Sequence, residues 1–405
     1  MMCERDEPDE AISNVLMKVV LLTNMIPPYR LEFYKELSYL CDLTVVCNTL
    51  VSPLRSWKQD ESAFTFKYET LGQTGSKYNY KRSDAGYVEP RVKFNAKGIR
   101  ERLSALKPDI VVSSEFGSRS IAAARYCSKN AIPLAIWFEG TLETEKAVGK
   151  LRTLLRRWLT QRASGFWTNG LASRQYLEKL GAKSLTITEG ITGISTDVFY
   201  EAACDGRKRR KELREQLGAS GTTFIFVGSL SGRKGLVQLL SALELLEERL
   251  SGDQECSFVF VGEGDFEASL KDLSEKFQHI KIILTGFQSE ARVQELFAAA
   301  DVFVLPTLDD NWPLVTLEAL VSGLPQIGSI YNGASANLAE KGSIGIFLDP
   351  YNVDFLTDCL EKRVSEPTER VPEETVLWAK GFYSPESQAQ RAYNLIQQLL
   401  SPPRT

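Results

Sequence analysis

Residues 223 to 240 read TFIFVGSLSGRKGLVQLL, and the pattern changes twice within them. Thr223 to Val227 is a short run of β-branched and aromatic residues, the signature of a strand buried on both faces. Gly228 to Gly235 interrupt it with glycines and two adjacent cations, Arg233 and Lys234, and from Leu236 the spacing is helical. Strand, glycine loop and helix in that order make the unit of a parallel sheet, because each strand needs a crossover to return in the same direction.

The same unit recurs on both sides of this stretch. Ahead of it, strands are expected at Lys18 to Ile26, Asp42 to Thr49, Phe64 to Thr70, Pro108 to Ser114, Pro133 to Phe138, Gly165 to Asn169 and Ser184 to Thr188; after it, at Ser257 to Val261, Ile280 to Leu284, Val302 to Pro306, Pro325 to Gly328 and Gly342 to Leu348. Helical patterns fill most of the gaps. The expected fold class is therefore α/β, with two Rossmann-like, doubly wound parallel sheets, one in each half. The seam falls near Glu201 to Gly218, which divides the chain into a first domain at 17–205, a second at 206–371 and a pair of C-terminal helices at 372–401 that reach back toward the first. Ser384, Pro385 and Glu386 supply the N-cap, first-turn proline and acidic first turn of the last helix.

Length and composition agree. At about 150 residues per domain, 405 residues give two to three domains, and 43% hydrophobic with 25% charged residues is ordinary for a folded chain. Forty-eight Lys and Arg against 52 Asp and Glu leave a net charge of -4, too balanced for a dedicated nucleic-acid binder; the run Arg207 to Lys211 (RKRRK) reads as a solvated linker or helix face. Seven cysteines are scattered without metal-ligand spacing, no stretch approaches the roughly 20 apolar residues of a membrane span, and the start of the chain, Met1 to Glu10, is acidic rather than a signal pattern. A cytoplasmic location with reduced thiols is expected. The one histidine, His279, precedes a strand and is expected to be a bystander.

In open parallel sheets ligands gather at the carboxyl ends of the strands, so chemistry is sought in the post-strand loops. In the loop after Val227, amides at a helix start with Arg233 and Lys234 form a phosphate site or, alternatively, a basic surface turn. The second stretch is LPTLDDNWPLVTLEALVSGLP, residues 305 to 325. A helix starting near Pro313 leaves the amides of Leu314 and Val315 as anion donors. Glu318, one turn on, is placed to accept two hydrogen bonds from a vicinal diol, and Asp310 to meet another hydroxyl of the same ligand.

Taken with VGEGDFEASL and LTGF, these motifs resemble the retaining glycosyltransferases of family 4, two-lobed enzymes of the GT-B fold. The N-terminal LTNMIPPYR, PDIVVSSEFG and IWFEGTLETE also look like one branch of that family. The resemblance implies a nucleotide-sugar donor. Gly228, Ser229 and Lys234 would line its diphosphate, Glu318 would hold the ribose, Asp310 the sugar, Leu314 and Val315 the distal phosphate, and Gly286 and Phe287 the base. Lys234 and Arg233, with Asp310 and Glu318, would carry the catalytic work, and no metal or cofactor is implied.

Three departures from the family pattern stand out. Ser229 replaces the arginine after the first glycine, with Arg233 the candidate substitute. Asp310 is the shorter acid, and Pro313 replaces a glycine and deletes a backbone donor. The N-lobe histidine is missing, and Glu139 takes its location.

On the acceptor side Tyr29 and Arg30 face the cleft if strand Lys18 to Ile26 is central, although Arg30 reads equally as an exposed first-turn residue. Residues Leu50 to Asn95 are expected to carry acceptor selectivity. The acceptor is expected to be a glycan or a lipid-linked molecule. Lys146 to Arg162 (KAVGKLRTLLRRWLTQR) holds six cations and no acid, which suits peripheral contact with an anionic membrane; in the alternative, Leu151, Leu154, Leu155 and Trp158 pack on the first sheet and leave the arginines solvated. Two further readings compete with a glycosyltransferase: a silent sugar-nucleotide-binding partner of a glycosylation complex, and, last, a nucleotide-sugar epimerase.

Overall fold

The computed structural model describes residues 16–50, 61–82, 86–366 and 368–401. In chain order the strands are β1 (Lys18–Thr23), β2 (Asp42–Cys47), β3 (Lys67–Thr70), β4 (Ser76–Arg82), β5 (Tyr87–Lys93), β6 (Ile110–Ser114), β7 (Leu134–Trp137), β8 (Gly165–Trp167) and β9 (Ile187–Thr188), then β10 (Thr222–Val227), β11 (Cys256–Val261), β12 (Ile280–Gly286), β13 (Val302–Leu305), β14 (Gln326–Ser329) and β15 (Gly345–Leu348). The first parallel sheet has the order β3-β2-β1-β6-β7-β8-β9 and the second β12-β11-β10-β13-β14-β15. The architecture is two doubly wound α/β lobes.

The apolar runs become central strands because helices cover both faces. Val19 to Leu22 and Phe224 to Phe226 are fully or almost fully buried. Across the second sheet the rings of Phe224 and Phe258 stack at 4.4 Å, and in the first Trp137 and Trp167 meet edge to face at 5.9 Å, so neighbouring strands interlock through rings as well as backbone bonds. Each expected strand has an observed counterpart within a few residues. At Ser184 to Thr188 the least is left: Ser184–Thr186 is a 3-10 turn and only Ile187–Thr188 pairs.

β4 and β5 are additions: they form an antiparallel hairpin, separate from both sheets. Their sequences, SKYNYKR and YVEPRVK, alternate polar with apolar residues and contain Pro90, so they lack the continuous apolar run by which the other strands are recognised.

The chain crosses between lobes twice. The helix Thr196–Lys208 packs through Phe199 on the second core, so the first crossing lies ahead of Thr196, earlier than residue 205. Within RKRRK, Arg207 and Lys208 close that helix and Arg210 opens the next, where Arg210 and Arg214 pair with Asp301. The second crossing follows the helix Glu373–Phe382, which is buried on the second lobe through Val376 and Ala379. Ser384 then caps the helix Pro385–Leu400, accepting from the Ser387 amide. Its Ala389, Ala392, Leu395 and Ile396 join the core of the first lobe. The crossings run side by side: Arg391 donates to the carbonyls of Gly190 and Phe382 at 2.6 Å each.

One packing alternative is overturned. In the helix Lys150–Thr160, Leu151 is 85% exposed, Leu154 59% and Leu155 37%, and Arg156 turns inward with Leu159 and Thr160, bonded to Tyr176 at 2.6 Å and to Glu145 at 2.7 Å. Leu151, Leu154 and Leu155 do not pack on the first lobe, whereas Trp158 does, beside the fully buried Leu159; a buried guanidinium with a carboxylate and a phenol takes the rest of that face.

Ile396 is fully buried where the last helix meets the first lobe. Ile396→Ala is expected to cost about 2–4 kcal/mol, read as a drop of several degrees in the first thermal transition by calorimetry.

Candidate active site

In each sheet the strand order reverses beside the first strand: β1 lies between β2 and β6, and β10 between β11 and β13. Crevices open at such switch points, outside the carboxyl ends of the strands. Here the two crevices face each other and form one cavity of about 940 Å³, lined by the loops after β1, β6, β10 and β13 and walled on one side by the β4–β5 hairpin. His279 lies before β12 with its ring against the Gln254 carbonyl, at the opposite end of the strands.

On the second lobe, β10 ends at Gly228 (φ 149°) and a short 3-10 turn, Gly232–Lys234, leads to Gly235 at φ 78°. A Cβ at Gly235 would sit 1.8 Å from the Pro306 carbonyl oxygen, so only glycine lets this loop close onto the loop after β13. That closure brings the two motifs together. Lys234, 8% exposed, donates through Nζ to Asp310 Oδ2 at 2.6 Å, and Arg233 Nη1 reaches the same oxygen at 3.2 Å and the Asp309 carbonyl at 2.8 Å. Burial alone would raise the Asp310 carboxyl, but Lys234 and Arg233 outweigh it and hold it below the usual carboxylate range. Ser229 is exposed, and among the described residues its hydroxyl meets that of Ser231, at 3.2 Å.

The helix Leu314–Val321 starts after Pro313, with no side-chain cap, and Leu314 lines the cavity. Glu318 follows one turn along. Burial pushes its carboxyl up to about 8, and Glu290 adds to this. Gly286 (φ 68°) ends the edge strand β12, and Phe287 is 78% exposed; neither lines the central cavity.

On the first lobe Arg30 closes the 3-10 turn Pro28–Arg30 and is not an exposed helix residue. Its guanidinium donates to Glu139 and lies 4.1 Å from the centre of the Trp137 ring. Burial opposes the charge, but Glu139 more than offsets it and the guanidinium is raised. Glu139 also accepts from Thr192 Oγ1 at 3.2 Å. The structure thus joins two residues 109 positions apart, beside the half-exposed Tyr29.

Several cavity residues escape a reading of motifs. Glu115, inside PDIVVSSEFG, stands at the end of β6 in the left-handed region (φ 67°), where a non-glycine residue is strained. Its N–H donates to the Trp137 carbonyl at 2.8 Å and its carbonyl accepts from Ser120 Oγ. Burial, then Glu139 and Glu145, pushes its carboxyl up to about 7.

The hairpin was reached only as part of Leu50 to Asn95, of which 51–60 and 83–85 lie outside the described residues. Its Arg82, fully buried, pairs with Asp309 of the second lobe and with Glu143 at 3.2 Å. Tyr87 donates its hydroxyl to the same Asp309, and Glu89 Oε2 lies 3.1 Å from Arg233 Nε. The alternation of SKYNYKR was the available signal. Among the described residues, no group of three His, Cys, Asp or Glu side chains is placed to hold a metal ion.

Residues 209–401 match the family Glycosyl transferases group 1. The chain is 27% identical over 176 residues to the alpha-D-kanosaminyltransferase of Streptomyces kanamyceticus, covering 43% of this chain and 44% of that one. It is 31% identical over 174 residues to the UDP-Gal:alpha-D-GlcNAc-diphosphoundecaprenol alpha-1,3-galactosyltransferase of Escherichia coli, covering 42% of this chain and 42% of that one. The matches span less than half the length of these relatives.

Solved structures align over nearly the whole chain. Anabaena HepE in complex with UDP gives a TM-score of 0.67 at 16% identity, covering 94% of this chain and 100% of that one. Sucrose-phosphate synthase of Thermosynechococcus elongatus gives 0.66 at 12%, covering 94% and 99%. The two facing lobes therefore have the GT-B fold, and the second of them matches the Glycosyl transferases group 1 family over residues 209–401.

Proposed function

We propose that this chain is a retaining, metal-independent glycosyltransferase of family 4, moving a sugar from a nucleotide-sugar donor to a glycan, glycolipid or related acceptor in cell-surface polysaccharide or glycoconjugate biosynthesis. The observation that carries the reading is the cluster of Lys234, Arg233 and Asp310 beside the start of the helix Leu314–Val321, with Glu318 one turn further on. Cations and free helix amides converge there on one edge of a deep cleft. Such an edge stabilises a departing diphosphate without a metal, because preorganised donors cost nothing to orient as charge develops.

The proposed reaction keeps the anomeric configuration by front-face attack. The bond from the anomeric carbon to the diphosphate oxygen breaks through an oxocarbenium-like state, with Lys234 and Arg233 holding the leaving oxygens. The acceptor hydroxyl arrives on the same face, forms the new glycosidic bond and gives its proton to the departing phosphate. No side-chain nucleophile enters. Asp310 orients Lys234 and meets the donor sugar, Glu318 accepts from the ribose, and Arg30, Tyr29 and Glu139 face the acceptor.

The membrane belongs to the same reading. Exposed Leu151, Leu154 and Leu155 share the helix Lys150–Thr160 with Lys150, Arg152 and Arg157, all exposed, which suits shallow insertion into an anionic surface from the cytoplasmic side. No helix among the described residues is long and apolar enough to cross a membrane. Leu151→Glu with Leu154→Glu is expected to abolish co-sedimentation with phosphatidylglycerol vesicles while leaving donor hydrolysis in solution unchanged.

Donor hydrolysis tests the chemistry. UDP-, GDP- and ADP-sugars are incubated with purified protein, with and without EDTA. One of them is expected to be hydrolysed slowly and equally in both conditions, with the rate falling by about 10²–10³ in Lys234→Ala. Binding without turnover, with any acceptor supplied, would favour the silent-partner reading, and loss of turnover in EDTA would end the metal-free one.

The protonation of Glu318 gives a third test. Only its ionised form accepts two hydrogen bonds from a diol, and its carboxyl stands near 8. Nucleotide affinity by calorimetry is therefore expected to rise from pH 7 to 9 and to level above it. In Glu318→Gln it is expected to be weaker and flat across that window.

A further inference from the structure

Arg233 meets three groups through two of its nitrogens. Nη1 faces the Asp309 carbonyl at 2.8 Å and Asp310 at 3.2 Å, while Nε faces Glu89 at 3.1 Å. Glu89 comes from the other lobe, on β5, and its second oxygen lies 2.7 Å from Arg91 Nη2 and 2.9 Å from Arg91 Nε. Glu89, Arg91 and Arg233 all line the central cavity, together with Lys234.

A guanidinium grips a phosphate best by presenting two parallel N–H groups along one edge. With Nη1 held by the β13 loop, the edge that remains for such a grip is formed by Nε and Nη2. Glu89 sits on Nε. A carboxylate and a phosphate cannot share that N–H, so the edge serves one anion at a time.

The hairpin need not move for the exchange. It is fixed to Asp309 by Arg82 and Tyr87, whereas the Glu89 side chain is 27% exposed and keeps Arg91 as a standing partner. Arg91 is itself steadied over the Tyr80 ring at 3.6 Å.

We infer that Glu89 is a donor-affinity residue supplied across the cleft, competing with the nucleotide's diphosphate for Arg233 and thereby setting how tightly nucleotide is held and how readily the nucleoside diphosphate leaves. The inference rests on the donor reading above. Glu89 stays with Arg91 while a diphosphate occupies Arg233, and returns to Arg233 as the diphosphate departs. Carboxylate and diphosphate are thus alternative occupants of one edge.

The test is a double-variant cycle read by calorimetry, titrating UDP, GDP and ADP into the wild type, Glu89→Gln, Arg233→Gln and the double variant. Glu89→Gln is expected to tighten the binding of the nucleoside diphosphate that the wild type accepts by about three- to tenfold, the scale of a partly exposed charge pair. In the Arg233→Gln background the same change is expected to alter affinity less than twofold. Loosening of the hairpin would weaken binding, so a gain in affinity separates competition from structural damage. Nucleotide binding by the wild type with affinity unchanged or weakened in Glu89→Gln overturns the inference and leaves the donor reading intact. Binding of no nucleotide by the wild type overturns both.

Discussion

Two adjacent acids, Asp309 and Asp310, are the joint on which the site is built. The chain bends at Asp309 and bridges to Asn332 at Asp310, and the two side chains bind different lobes. Asp309 accepts from Arg82 and Tyr87 of the first lobe's hairpin. Asp310 accepts from Lys234 and Arg233 of the glycine loop. A buried carboxylate must be compensated or it destabilises the fold, so each acid fixes the group that compensates it. The post-strand position after β13 therefore joins the lobes and places the cations Lys234 and Arg233 together. Gly333 completes the joint from behind: a Cβ there would lie 1.7 Å from the Asn311 carbonyl oxygen, so the β14 loop packs backbone to backbone against this segment.

Glu318 and Glu115 show the opposite arrangement. Both carboxyls are pushed up chiefly by burial, and among the described residues no side-chain partner meets either of them. Uncompensated acids with raised pKa values at the carboxyl ends of parallel strands are costly for folding and useful for binding. Glu115 carries a second cost, the left-handed backbone. The structure absorbs it locally, since the Trp137 carbonyl and the Ser120 hydroxyl hold the residue from both sides. At Glu115 strain and burial thus collect at the cavity wall.

What the sequence made legible follows the same division. Continuous apolar runs report strands buried on both faces, and they placed both sheets because that burial leaves nothing polar to confuse the pattern. That Lys234 and Asp310 belong to one site was legible because each motif sits directly after a strand; that the two side chains pair with each other was not. The hairpin was not, since β4 and β5 are solvated and break the run with Tyr, Lys, Arg and Pro90. Nor was the orientation of the helix Lys150–Thr160. Its leucines and arginines have compatible helical spacing for either face, and only Glu145 and Tyr176, brought near by the fold, decide that Arg156 turns inward. Arg30 was ambiguous for the same reason: its partner Glu139 lies far along the chain.

The departure at Ser229 can be understood from charge. An arginine directly after Gly228 would stand on an exposed loop, where the serine hydroxyl now meets that of Ser231. Arg233 instead enters from the 3-10 turn, where Asp310 and Glu89 bracket it. Burial lowers its charge preference, but the two acids outweigh that and keep it firmly protonated. Two cations, Arg233 and Lys234, therefore share carboxylates from both lobes. A site with the cations alone would hold any diphosphate strongly and release it slowly; with the acids in place, a diphosphate gains only the difference between its own contacts and theirs. Because one of the acids belongs to the opposite lobe, that difference depends on how the lobes are joined, and the junction at Asp309 becomes part of the anion chemistry as well as the fold.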